Sequence, residues 1–297
     1  MVLFVTVPDT TYWGGVGRAY AALGPPLIPS RADIGVMESV VADWTARHPG
    51  RRPRGMMLGV TARIARMRWP RGSVLVAADN SAPMMQAVWP GNIRRRRAAV
   101  LADWRTLPLR ESSCDVVVGD GSFSCVRYPQ GFRTVAAEVR RVLRRDGILV
   151  LRCYVQPPAQ ERKEDVMEDL WRGAVPSFHW FKFRLLMAMQ ESSEQGTLVD
   201  RVYRFWASQN IDEAALVAQT GWDPAGIRTI ALYRGRDTVH TFLTMAELRA
   251  ALGEFFADIT ILTPPQALGE RCPILVARPR STPRRSREAS RVAACPL

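Results

Sequence analysis

Lysine is almost missing from this chain: of its 41 basic residues, only Lys163 and Lys182 are not arginine. The resulting formal charge of +13 attracts phosphates whatever their sequence, so a nucleic-acid partner stays open as an alternative, though such runs also form plain solvated surface. Cysteine is scarce too. Cys114, Cys125, Cys153, Cys272 and Cys295 lie far apart with no C-x-x-C pair, so the spacing signals of a zinc site or a disulfide framework are missing and reduced thiols are expected. No apolar run approaches the roughly 18 residues of a membrane-spanning helix. The opening MVLFVTVPD lacks the basic start of a secretory signal, and the expectation is a soluble, cytoplasmic protein with no membrane partner. G-x-G-x-x-G is absent as well, which argues against an NAD-dependent dehydrogenase.

Hydrophobic residues fill 47% of the 297 positions, enough to bury a sizeable core. Between 55 and 155, apolar runs of strand length alternate with helix-like segments, the pattern of an α/β, Rossmann-like doubly wound, mostly parallel sheet. GMMLGV (55–60) leads into TARIARM, and SVLVAAD (73–79) into SAPMMQAV, where Ser81 suits an N-cap and Pro83 a first helical turn. AAVLAD (98–103) and DVVVGD (115–120) follow as strands three and four. FRTVAAEVRRVLRR (132–145) sets Val135, Val139, Val142 and Leu143 on one helical face. Asp146-Gly147 is expected to break that helix before ILVLRCYV (148–155), a strand apolar enough to be covered on both faces.

Ahead of this core a helix is expected to start at Ser30, with Asp33 completing an S-x-x-D cap and Ile34, Met37, Val41 and Trp44 forming its stripe. Thr244 and Glu247 suggest another capping box. The division expected is an N-terminal segment over the site (1–30), the Rossmann-like core (31–155), a helical cap rich in aromatics (156–257) and a final hairpin completing the sheet (258–279). A disordered basic tail (280–297) ends the chain, since the residues from 278 on hold six arginines against one glutamate. WGGVG (13–17) looks like a phosphate loop, but no strand precedes it, and a flexible hinge is expected there.

Each of the first four strands ends in a candidate ligand contact: Gly59, Asp79, Asp103 and Asp120. Open α/β sheets bind ligands at those ends, beside the point where strand order reverses. Asp79 lies 20 residues beyond Gly59, a spacing at which a carboxylate accepts hydrogen bonds from both hydroxyls of a ribose, and Asp103 sits where an adenine amino group would donate. Without a ligand, Asp79 reads as a carboxylate at a helix N-terminus, Asp103 and Asp120 as turn-closing aspartates, and Gly59 as a residue allowing an unusual backbone angle.

VLADWRTLPLRESSCDVVVGDGSF resembles the middle of the class I S-adenosylmethionine-dependent methyltransferases, with an acidic residue closing strand three, a Leu-Pro, and an Asp opening an apolar fourth strand. AAEVRRVLRRDGILVLRCYV resembles that family's next helix, glycine turn and fifth strand, and with VLVAADNSAPMM the likeness covers 55 to 155. It implies a seven-stranded sheet with an antiparallel last strand, and S-adenosyl-L-methionine as cofactor with S-adenosyl-L-homocysteine as product. Gly59 and Thr61 would lie under the amino-acid part, Asp79 with its neighbour Asn80 at the ribose, Asp103 at the adenine amine with Trp104 walling the ring, and Asp120 near the methyl group. Tyr12, Ser122, Phe123 and Tyr128 would meet the substrate. The sequence departs from the family in its first motif: Met57 stands where an acidic residue is usual, and Thr61 and Arg63 stand where further glycines are. Thr61 is expected to take over contacts of the missing groups.

The implied reaction is in-line methyl transfer, for which alignment and dryness supply much of the rate. Of the three histidines, His48 reads as solvated, while His179 and His240 fall in the cap and are candidate general bases. No metal is expected. A cap rich in Trp, Phe and Met suits a small, partly apolar molecule as substrate; methylation of RNA or protein through the arginine surface, or non-catalytic binding of an adenosyl ligand, are the alternatives.

Overall fold

The structure, a computed structural model, describes residues 10–280. The tail expected to be disordered, Arg280 apart, lies outside the described residues, as does Cys295.

One seven-stranded sheet organises the chain. Its first five strands are β1 (Arg54–Leu58), β2 (Val74–Asp79), β3 (Arg97–Leu101), β4 (Cys114–Asp120) and β5 (Leu143–Arg152), all parallel. Two small sheets, not foreseen from the sequence, follow within the cap: β6 (Val155–Gln156) pairs with β9 (Leu243–Thr244), and β7 (Thr197–Leu198) with β8 (Val239–His240). β10 (Phe256–Leu262) and β11 (Ile274–Pro279) form the expected hairpin, and β11 runs antiparallel to β5. The order is β10-β11-β5-β4-β1-β2-β3, so strand order reverses between β1 and β4 and opens a crevice at their C-terminal ends.

Burial alternates along the strands because successive side chains leave opposite faces. Met56, Leu58, Val117, Leu149 and Leu151 join one cluster; Met57, Val116, Val118, Ile148 and Val150 join the other. The second face is covered by α2 (Arg31–Ala46), α3 (Ala62–Ala65) and α4 (Ala82–Val88), with Met37, Val41 and Trp44 of α2 at most 1% exposed. Burial of each such side chain stabilises by roughly 1.5–3 kcal/mol. The expected caps form: Ser30 and Asp33 exchange hydrogen bonds in a capping box at the start of α2, and Ser81 as N-cap accepts from the Met84 N–H at the start of α4. The first face is covered by α5 (Gln130–Val142) and by α11 (Met245–Gly253), which closes the capping box of Thr244 and Glu247. α11 belongs to the stretch expected as cap, yet it packs on the sheet.

The remaining helices, α1 (Thr10–Arg18), α6 (Lys163–Trp171), α7 (Phe178–Ala188), α8 (Val199–Ser208), α9 (Glu213–Thr220) and α10 (Pro224–Arg228), build a separate aromatic cluster over the crevice.

Three local expectations fail. The helix expected to run to 145 stops at Val142, because the amides of Ser112 and Ser113 take the carbonyls of Arg141 and Val142 and Leu143 already pairs with Cys114. The stretch Arg144–Gly147 then bulges, and a Cβ on Gly147 would stand 2.8 Å from the Asp115 carbonyl oxygen. WGGVG is no hinge but the body of α1: a Cβ on Gly14 would lie 3.1 Å from Pro83, and one on Gly17 3.0 Å from Ala87, so the two glycines let α1 lie close on α4. His48, expected in solvent, stacks on Trp44 at 4.2 Å and bonds that residue's carbonyl oxygen at 2.7 Å.

Candidate active site

The crevice at the switch point holds an outer cavity of about 370 Å³. It brings together all seven residues expected at the cofactor: Gly59, Thr61, Asp79, Asn80, Asp103, Trp104 and Asp120. Gly59 leaves β1 at φ +92°, a left-handed conformation that glycine alone adopts without strain, and a Cβ there would face Trp104 at 3.7 Å and Asp79 at 3.9 Å. Asp79 ends β2. One of its carboxylate oxygens accepts the Ser81 N–H at 2.8 Å; among the described residues the other has no hydrogen-bond donor. Burial raises this carboxyl from 3.8 to about 6. Trp104 is pinned by donating its indole N–H to the Ala78 carbonyl at 2.7 Å. Asp103 takes a two-pronged bond from Arg105, which holds its pKa below the ordinary value.

A second, inner cavity of about 140 Å³ lies between the crevice and the cap. Trp13, Thr61, Met84, Asp120 and Cys125 line both cavities, so the two chambers share a wall. The inner lining is mostly aromatic and aliphatic, with Tyr12, Tyr154, Phe183, Tyr233 and Phe242 around it. Asp120 reaches this wall from the end of β4 as half of a buried network: Arg152 donates to it at 2.7 Å and pairs with Asp33 at 3.1 Å. One guanidinium thus serves two carboxylates, and burial pushes the pKa of Asp120 up.

The expected substrate residues are divided. Tyr12 lines the inner cavity and Ser122 the outer, where its hydroxyl donates to the Leu58 carbonyl at 3.1 Å. Phe123 and Tyr128 turn away: their rings pack on Phe132, 4.4 and 6.0 Å between centroids, because the short helix Ser122–Cys125 aims its second side chain at the core under α5.

The two candidate bases also part. His179 lines neither cavity; its Nε2 bonds the Ala22 carbonyl at 2.9 Å and ties α7 to the segment after α1. His240 lines the inner cavity, with Nε2 3.4 Å from the Tyr12 hydroxyl. Burial lowers both imidazoles from 6.5 to about 4, so each is neutral at pH 7 and weakly basic. Thr61 precedes the short α3 without a side-chain cap bond, and Arg63 bonds the Pro29 carbonyl, fastening α3 to the N-terminal segment where the usual glycine would leave it loose.

The sequence reading missed Met84, Arg105, Cys125, Tyr233 and Lys182. Lys182 carried a signal in being one of only two lysines. Burial pushes the Cys125 thiol up to about 12, which keeps it protonated at neutral pH. Among the described residues no group of three or more His, Cys, Asp or Glu side chains is placed to hold a metal ion, and no helix is long and apolar enough to cross a membrane.

Residues 56–151 match the family model described as a methyltransferase domain. No curated protein matches the chain. Among solved structures, a Rhodobacter sphaeroides protein described as a candidate Zn-dependent alcohol dehydrogenase superposes at TM-score 0.60 and 12% identity, over 93% of this chain and 100% of that one. A Burkholderia thailandensis 1,6-didemethyltoxoflavin-N1-methyltransferase with S-adenosylhomocysteine bound matches at TM-score 0.44 and 14% identity, over 84% of this chain and 79% of its own. A Haloferax volcanii protein described as a candidate methyltransferase, in complex with the Trm112 methyltransferase activator, matches at 0.46 and 14%, over 92% and 98%. At these identities the likenesses concern the fold.

Proposed function

We propose that this chain, which carries a class I S-adenosylmethionine-dependent methyltransferase domain over residues 56–151, methylates a small, partly apolar molecule held in the inner cavity. The observation that carries the reading is the shared wall: the chamber lined by Asp79 and Asp103 meets the aromatic chamber at Trp13, Thr61, Met84, Asp120 and Cys125.

The residues of the outer chamber fit the cofactor. The open oxygen of Asp79 suits ribose hydroxyls, and the backbone of Gly59 offers an approach that a side-chain residue would strain. At the common wall stands Asp120, and because its partner Arg152 is shared with Asp33 behind the wall, two carboxylates face one guanidinium beside the position a cationic group would take. S-adenosylmethionine supplies a methyl group on a positively charged sulfonium, displaced in line by the acceptor. Trp13, Met84 and the rings of the inner chamber keep water from that line, and the walls hold the acceptor in one orientation, so proximity and exclusion of solvent account for the rate. His240 stands where it can accept a hydrogen bond from an acceptor hydroxyl or amine, though its low basicity makes it a positioning group before a strong base. A chamber lined mostly by aromatic and aliphatic side chains favours this reading over methylation of a polynucleotide across a basic cleft.

Calorimetry of the full chain with S-adenosylmethionine and S-adenosylhomocysteine tests the reading. Both bind the wild type, and Asp79→Ala weakens both by about tenfold or more. Absence of binding to the wild type overturns it.

A further inference from the structure

Lys182 is the inner cavity's unexplained group. It comes from the middle of α7, is 1% exposed, and lines the chamber beside Tyr233 and Phe183. Its ammonium donates to the Thr229 hydroxyl at 2.8 Å, which in turn spends its own proton on the Gly226 carbonyl at 2.6 Å. It also stands 5.0 Å over the Tyr233 ring. Three donors therefore meet one acceptor and one ring face, and among the described residues no carboxylate pairs with it. An ammonium buried without a counter-ion is costly, and a folded chain with 39 arginines among its 41 basic residues has placed one of its two lysines there. The chamber's other charged lining residue, Asp120, is already held by Arg152.

From the uncompensated ammonium in an aromatic chamber we infer that the acceptor is a single-ring aromatic acid whose carboxylate pairs with Lys182. The inference rests on the proposed methyl-transfer reading for what happens next, but the pairing itself is a matter of binding. The chamber's volume of about 140 Å³ is close to the engineered cavity of about 150 Å³ that accepts benzene. Its rings supply apolar contact and Lys182 supplies the counter-charge, while the hydroxyls of Tyr12 and Tyr233 are engaged with each other. A neutral guest of the same shape would leave the ammonium unpaired, so the site discriminates by charge as well as by size.

The test titrates the full chain with benzoate and with benzamide, its neutral isostere. Benzoate binds the wild type about tenfold or more tightly than benzamide, and in Lys182→Met the preference disappears while benzamide affinity holds. Equal binding of the two probes, no binding of either, or a benzoate preference that survives Lys182→Met overturns the inference; should the variant not fold, the comparison in the wild type decides alone. A parallel titration with S-adenosylhomocysteine separates the two readings. If it binds but benzoate is not preferred, the acid-acceptor inference falls and methyl transfer stands; if it does not bind but benzoate is preferred, the acid site stands and methyl transfer falls.

Discussion

Arg152 and Asp120 meet at 2.7 Å with both side chains almost wholly buried, and the same guanidinium pairs with Asp33 at 3.1 Å and donates to the Pro26 carbonyl at 3.0 Å. That one side chain ties the end of β5 to the end of β4, to the first turn of α2 and to the segment that closes the inner cavity. The sequence shows Arg152 only as a charged residue in an otherwise apolar strand.

Removing this guanidinium leaves two buried carboxylates without their cation. Arg152→Met is expected to lower the unfolding free energy by about 3–5 kcal/mol in urea melts. A loss under about 1 kcal/mol would mean that the network contributes little, as exposed pairs do.

Asp79 titrates at about 6 where its unfolded counterpart titrates near 3.8. A raised carboxyl pKa means that the folded state binds the extra proton, so this group's contribution to stability is present below pH 3.8 and is lost as pH rises through about 6. Ligand hydroxyls donating to the carboxylate reverse that preference. S-adenosylhomocysteine should bind more tightly as pH rises from 5 to 7 in the wild type, by about tenfold, and with a flat profile in Asp79→Asn. Parallel profiles in the two proteins would take Asp79 out of the binding site.

Lys182 works in the opposite sense. Burial lowers it from 10.5 to about 7, so the unfolded chain holds the proton that the folded chain has lost, and this residue's contribution to stability rises with pH between those values. The groups facing it are Thr229 and Tyr233, from the helical turn Thr229–Tyr233, and His179 on its own helix. Cysteines pushed up to about 12 pull stability down above pH 9, so the useful quantity is the difference between proteins. Lys182→Met should gain on the wild type most at pH 7 and least at pH 9, read from paired urea melts. A constant difference would show that burial does not shift the titration of this amine.

Gly59→Ala separates backbone strain from steric conflict. The nearest side-chain atoms to an added Cβ lie at 3.7 and 3.9 Å, ordinary contact, while φ of +92° is unfavourable for alanine. A stability loss of about 1–3 kcal/mol is expected, together with weaker S-adenosylhomocysteine binding as the turn relaxes. An unchanged melt would show that the turn accepts a side chain.

The two buried histidines should separate under substitution. His179→Gln, outside the lining of both cavities, should reduce stability and change the acceptor's KM far less than His240→Gln, which should raise it. The same change in KM from both variants would contradict the placement.

The amino-acid sequence by itself determined the local elements and the sites at strand ends. Alternating apolar runs fixed β1 to β5, Ser30, Ser81 and Thr244 announced helix starts through their own backbone bonds, and Gly59, Asp79, Asp103 and Asp120 came together because parallel strands put their C-terminal ends on one edge. These are short-range or periodic effects that a linear chain displays. The tertiary structure decided everything that depends on approach between distant segments. Gly14 and Gly17 became a close contact with α4 where a hinge was expected, α5 ended early because Cys114 captured Leu143, and His179 was drawn away from the cavity by the Ala22 carbonyl. Lys182, marked in the sequence only as one of two lysines, was left facing the inner chamber and, among the described residues, without a carboxylate. Burial and pairing of charge are properties of three-dimensional surroundings, and neighbours in sequence do not encode them.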